Sequence, residues 1–111
     1  MANKKTNGAS FSTEEVQRIW EKARIITGED PGLVRQDICG AVIHRKNYGQ
    51  NSSPKSFGWE IDHIKPVSLG GTDDIQNLQP LQWENNRHKG NNYPEWQCIV
   101  NSAEGANKYN V

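Results

Sequence analysis

The chain has 111 residues, with 13 Lys and Arg balancing 13 Asp and Glu, and 33% of it is hydrophobic. That length holds one ordinary domain, and a mean hydropathy of −0.89 implies a thin core in which the Trp residues at 20, 59, 83 and 96 carry much of the burial. Zero net charge excludes a globally basic surface, so any affinity for nucleic acid must rest on a local cluster of cations. There is no apolar run of the roughly 18 residues that a membrane span needs. Met1–Ser10 is polar and lacks a hydrophobic signal core, so a cytoplasmic location is expected. Cys39 and Cys98 are too few for a four-cysteine zinc site or a disulfide framework. Compartment logic favours two free thiols over a single disulfide.

In chain order, residues 1–11 read as a flexible arm. Ser12 and Glu15 fit the S-x-x-E capping box, and Val16, Ile19, Trp20, Ala23 and Ile26 follow at helical spacing. Gly28 and Pro31 would stop this helix. Ala41–Ile43 suggests a short strand, and residues 47–58, rich in Asn, Ser, Gly and Pro, a loop. Residues 59–64 read as a strand with Trp59, Ile61 and His63 on one face. A turn-rich loop, 65–76, separates it from a second strand at 77–82, where Pro80 is tolerable because a two-stranded hairpin is all edge. Residues 83–89 read as a short helix ending near Gly90. A last strand or helix is expected within 93–100, so the domain spans 12–100 and a polar tail 101–111.

Three of these segments bring polar groups together. Asp62 and His63 end the first strand, Asn77 opens the second, and Asn86 and Lys89 share a helix face at i and i+3. An Asp-His pair alone means little. The stretch Trp59-Glu-Ile-Asp-His-Ile-Lys-Pro, then Gly70-Gly-Thr-Asp-Asp-Ile-Gln-Asn-Leu-Gln-Pro-Leu, then Asn85-Asn-Arg-His-Lys-Gly90 resembles the HNH endonucleases. The intervals from His63 to Asn77 and to Asn86 match the ββα-metal hairpin of that family, including the HNH domain of RNA-guided nucleases. The resemblance covers about a third of the chain strongly, on several residue types at fixed spacings.

The resemblance implies an α+β fold with a ββα-metal hairpin-helix core at 59–90, and hydrolysis of phosphodiester bonds, with DNA as the expected substrate and 5′-phosphate and 3′-hydroxyl ends as products. It implies His63 as general base, Asp62 and Asn86 as metal ligands, Asn77 as a brace of the loop that holds His63, and Lys89 as a phosphate contact. An imidazole changes charge near neutrality and can accept a proton there. Oxygen donors from Asp and Asn favour Mg²⁺ (or Mn²⁺). Lys65 and Arg87 are further candidates for phosphate. Arg35 and Arg45 are phosphate contacts or ordinary surface salt bridges, and His88 a surface residue or a phosphate contact. His44 is expected to be packed or solvated, and Trp59 and Trp83 to wedge the hairpin against its helix. One branch of the family carries Cys-x-x-Cys pairs around a structural zinc. Here Cys39 alone remains, with Gln36, Gln82 and Asn85 at the other positions, so no structural zinc is expected. In a regular strand Asp62 and His63 point to opposite faces, and they can serve one phosphate only if the strand ends or bends there.

The expected partner is nucleic acid, double-stranded DNA first, with no membrane and with a homodimer or a larger DNA-processing complex as ways to gain selectivity. Two alternatives stand beside the nuclease. One is an HNH-like module that binds nucleic acid without cutting it. The other is a nuclease toxin domain with an immunity partner. The neutral charge and the form of the N-terminus favour a standalone restriction, phage or mobile-element enzyme over the toxin.

Overall fold

Ser12 begins the first helix in the way its side chain favours. Its hydroxyl accepts from the Glu15 amide at 3.1 Å, and the Glu15 carboxylate accepts from the Ser12 amide at 2.8 Å, closing the capping box. This helix, α1, spans Thr13–Trp20 and buries Val16, Ile19 and Trp20. It stops well before Gly28. Beyond it, Arg24–Ile25 (β1) leave the helical path and pair antiparallel with Val34–Gln36 (β2), which pairs in turn with Val42–His44 (β3). Ala23 stays buried although it lies outside the helix, so the apolar spacing continued while the backbone changed state. The computed structural model describes residues 3–103 and 105–110.

The central hairpin joins Trp59–His63 (β4) to Leu78–Gln82 (β5), with Trp59 opposite Gln82, Ile61 opposite Pro80 and His63 opposite Leu78. Trp83–Lys89 (α2) follows directly. The Gln82 side chain caps this helix by accepting from the amides of Glu84 and Asn85. The core gathers Phe11, α1, Ile43, Trp59, Ile61 and Leu78. The rings of Trp20 and Trp59 lie 5.3 Å apart, and each buried indole N–H finds a carbonyl, Pro31 for Trp20 and His44 for Trp59. Trp59 therefore packs on α1. Trp83 donates to Ser53 and Ser56 of the preceding loop, so these two residues do not form the expected wedge between hairpin and helix. His44 is packed, stacked on Phe57.

Both ends of the chain depart from expectation. Where a loose arm is expected, Asn3–Phe11 fold back on β4. The Asn3 side chain accepts from the Ile61 amide at 2.8 Å, and Phe11 joins the core at 7% exposure. Where a polar tail is expected, Val100–Ala103 (β6) and Ala106–Tyr109 (β7) form an antiparallel pair. Asn107 fastens it to β3 by accepting from the Val42 amide and donating to the Val42 carbonyl. A polar side chain thus supplies both bonds of a strand neighbour, which hydropathy cannot signal. Residues 93–99 are irregular.

The cysteines are not free. Cys39 and Cys98, 59 residues apart in sequence, form a disulfide with a Cα–Cα distance of 5.6 Å. Beside it, the buried Asp37 carboxylate accepts from the amides of Cys39, Ala41 and Gln82 and from the Asn85 side chain. Asn85 also accepts from the Ile99 and Val100 amides. Burial pushes the Asp37 carboxyl up from its ordinary value, against the pull of these donors. The Cys39 knuckle, the start of α2 and the C-terminal pair are thereby held together by one crosslink and one buried carboxylate.

A crosslink closing a loop of this length stabilises the folded state by about 4 kcal/mol in the chain-entropy account. Cys98→Ser should therefore lower the urea unfolding free energy by roughly 2–4 kcal/mol. Dithiothreitol should produce the same shift in the wild type and none in the variant.

Candidate functional site

The alternation of β4 sets up the site. Glu60 and Asp62 project from one face of the strand toward α2, whose Asn86 and Lys89 share a face at i and i+3. The two spacings meet pairwise. Asn86 Nδ2 donates to Glu60 Oε1 at 3.0 Å, and Lys89 Nζ donates to Asp62 Oδ1 at 3.2 Å and to the His63 carbonyl at 3.1 Å. Gln79, opposite Asp62 on β5, donates to its other oxygen at 2.9 Å. Burial pushes the Asp62 carboxyl up, opposed by the Gln79 hydrogen bond and by the Lys89 ammonium.

His63 is the last residue of β4 and 8% exposed. Its Nε2 lies 2.8 Å from Asp73 Oδ1, and Phe11 lies beside the ring. Because the strand ends at His63, Asp62 and His63 border the same cleft although strand alternation would part them. The cleft has a volume of about 420 Å³ and is also lined by Ile61, Val67, Asn86 and Arg87.

The loop from His63 to Asn77 is held by Asn77 itself. Its side chain accepts from the Lys65 amide and donates to the carbonyls of Lys65 and Thr72. The turn needs its two glycines. Gly70 has φ +92°, and a Cβ on Gly71 would lie 1.7 Å from the Lys65 carbonyl oxygen. The Asn77 bonds hold the two ends of the loop together.

Three expected phosphate contacts lie elsewhere. Lys89 is 1% exposed and turned inward to Asp62, because the helix face that meets the hairpin is the one that carries it. Arg35 donates to the carbonyls of Pro31, Glu21 and Ala23 and covers the Trp20 ring; it closes the end of α1. Arg45 bonds Gln17 and covers Trp59. Among the described residues neither pairs with an acid in a salt bridge. Arg87 is 57% exposed on the cleft rim, 3.6 Å from Glu60. Lys65 and His88 are exposed nearby in the chain.

Sequence reasoning did not single out Glu60, Gln79, Asp73 or Thr6. Period-two alternation does place Glu60 on the face of Asp62, and that signal was available. Asp73 is one of two adjacent aspartates in a turn, and nothing local distinguishes it. Thr6 donates to Asp73 through both its amide and its hydroxyl, a contact across 67 residues of sequence.

Among the described residues, no group of three or more His, Cys, Asp and Glu could hold a metal ion. Asp62 and Asn86 are a two-residue oxygen set. Each Asp62 oxygen accepts one bond here and keeps further acceptor capacity, while the Asn86 amide spends an N–H on Glu60 and leaves its oxygen as the donor atom. Two such ligands suit a hard cation that takes its other ligands from water and phosphate.

Residues 38–92 match the family model described as HNH endonuclease. No curated protein and no solved structure matches the chain.

Lys89→Met should leave the Asp62 carboxylate buried beside no cation, which costs about 3–5 kcal/mol of stability. The folded-state pKa of Asp62 would then rise further above its unfolded value, so the deficit should be largest at neutral pH and shrink as acid protonates the carboxyl. Urea melts across pH check this. A phosphate-contacting lysine would instead leave stability unchanged and lower the salt dependence of nucleic-acid binding.

Proposed function

Through residues 38–92 the chain belongs to the HNH endonuclease family, and from that premise we propose that it hydrolyses phosphodiester bonds of DNA with His63 as general base and a divalent cation at Asp62 and Asn86. The observation that carries this reading is the single cleft bordered by Asp62, His63 and Asn86. A base and two hard oxygen ligands facing one space are what attack on a phosphodiester by water requires.

Each group of the chain has a definable task. His63 accepts the proton of the attacking water through a neutral ring nitrogen. Asp62 and Asn86 hold Mg²⁺ or Mn²⁺, which when bound would neutralise charge on the phosphate and the departing oxygen. Glu60 fixes the Asn86 amide so that its oxygen is the ligand. Lys89 keeps the Asp62 carboxylate in place in a buried setting. Asn77 holds the loop that follows His63. Arg87 on the rim is placed to meet a phosphate of the bound strand, with Lys65 and His88 as further contacts. With the chain neutral overall, binding depends on these few cations and should be weak and salt-sensitive.

Supercoiled plasmid, short duplexes and single strands with added Mg²⁺ or Mn²⁺ test the proposal. Cleavage should require the metal and stop with EDTA, while circular dichroism stays unchanged, because the fold rests on the disulfide and the core. His63→Ala should lower the cleavage rate by at least roughly 10²–10⁴-fold with metal affinity retained. Asp62→Asn should lose both. Arg87→Ala should reduce the slope of log affinity against log salt by about one unit. DNA binding without cleavage by the wild type in any of these metals would instead identify a binding module.

A further inference from the structure

Asp73 lies ten residues after His63, in the loop that Asn77 braces, and one of its oxygens is 2.8 Å from His63 Nε2. Asp73 is itself held. The Thr6 amide sits 3.1 Å from both carboxylate oxygens, and the Thr6 hydroxyl donates to Oδ2 at 2.8 Å. Burial opposes ionisation, yet the donors His63 and Thr6 together hold the Asp73 carboxyl below its ordinary value. An ionised carboxylate can only accept hydrogen bonds. The ring nitrogen facing it must then carry the proton, and the other, Nδ1, is left with a lone pair.

Resting on the nuclease reading above, we propose that Asp73 is a positioning residue for His63, fixing Nε2–H so that Nδ1 is the proton acceptor, and that Thr6 of the N-terminal strap holds Asp73 in that place. The strap is well anchored for this. Asn3 bonds the Ile61 amide two residues before His63, and Phe11 is buried beside the imidazole. Catalysis therefore draws on a segment outside the 38–92 stretch. When His63 takes a proton from water, the ring becomes a cation, and the Asp73 carboxylate lies against it. In the Ser-His-Asp triad, exchanging the corresponding carboxylate for an amide costs about 10⁴ in rate with the geometry intact. Asp73 is 27% exposed, so water weakens its field and a smaller loss is expected here.

The test uses the full chain and two independent readouts. Long-range ¹H–¹⁵N spectra of the metal-free protein, at alkaline pH, report which ring nitrogen of His63 carries the proton. Cleavage of a short duplex with Mn²⁺ gives kcat and KM. The wild-type ring should be protonated on Nε2. Asp73→Asn keeps the shape and removes the charge, so kcat should fall about 10²-fold or more while KM changes less than about threefold. Thr6→Val keeps the amide and removes the hydroxyl, and kcat should fall severalfold with the proton still on Nε2. A wild-type ring protonated on Nδ1, or an Asp73→Asn enzyme cutting at the wild-type rate, would overturn the role of Asp73. An unchanged Thr6→Val would overturn the part assigned to the strap. A His63→Ala enzyme that still cuts would overturn the base assignment instead, and the spectra would continue to report on Asp73 independently.

Discussion

The site depends on a helix face fitting a strand face. On β4, Glu60 and Asp62 recur every second residue. On α2, Asn86 and Lys89 recur every third. The two intervals bring Glu60 to Asn86 and Asp62 to Lys89 in one packed interface. Both acids and the lysine are almost wholly buried. Such groups are tolerable there only because each has partners, and taking one partner away leaves a charge with neither water nor counter-ion. That requirement fixes the angle of α2 against the hairpin, and so fixes where the Asn86 oxygen lies relative to Asp62. The Asp62–Asn86 oxygen pair and the structural clamp are therefore one arrangement. A lysine expected to meet phosphate is consumed by it.

A second constraint comes from what stands where part of the family places cysteine pairs. Gln36 bonds the Gly40 carbonyl and Ser102. Gln82 caps α2 through its side chain and gives its amide to Asp37. Asn85 joins Asp37 to the chain at Ile99 and Val100. With the Cys39–Cys98 disulfide, these bonds tie the knuckle to the first turn of α2. The donors converging on Asp37 offset its desolvation. The C-terminal strands are a working part of this scaffold, since Asn85 satisfies their backbone and stands next to Asn86.

Charge is distributed to match. The arginines that looked available for phosphate, Arg35 and Arg45, lie against tryptophan rings; Arg35 bonds backbone carbonyls at the end of α1 and Arg45 bonds the Gln17 side chain. Their planar heads suit stacking on the rings, and the Arg35 head serves several carbonyls at once. What remains near the cleft is Arg87, with Lys65 and His88 exposed close by in the chain. A neutral chain with so few outward cations near its cleft gains little general attraction to a polyanion.

The local sequence determined the elements whose signals are local. The Ser12–Glu15 box, the β4 alternation, the Gly70-Gly71 turn, the Pro80 edge and the stop at Gly90 each act over a few residues, and each recurs in the structure. The hairpin-helix core is likewise a pattern of neighbouring segments; within it Asp62, His63 and Asn86 line one cleft, while Asn77 bonds the backbone of the loop between the strands. The tertiary structure decided everything that depends on contacts distant in the chain. The Cys39–Cys98 bond, the strap from Asn3 to Phe11, the Thr6–Asp73 contact and the Asn107 bonds that fasten the C-terminal strand pair to Val42 all join residues dozens of positions apart, where no periodicity reports on proximity. It also decided which way long side chains turn. Lys89, Arg35 and Arg45 carry the same charge whether they face water or a carboxylate, carbonyls or an amide and an indole ring, and only the packed neighbours select between the two.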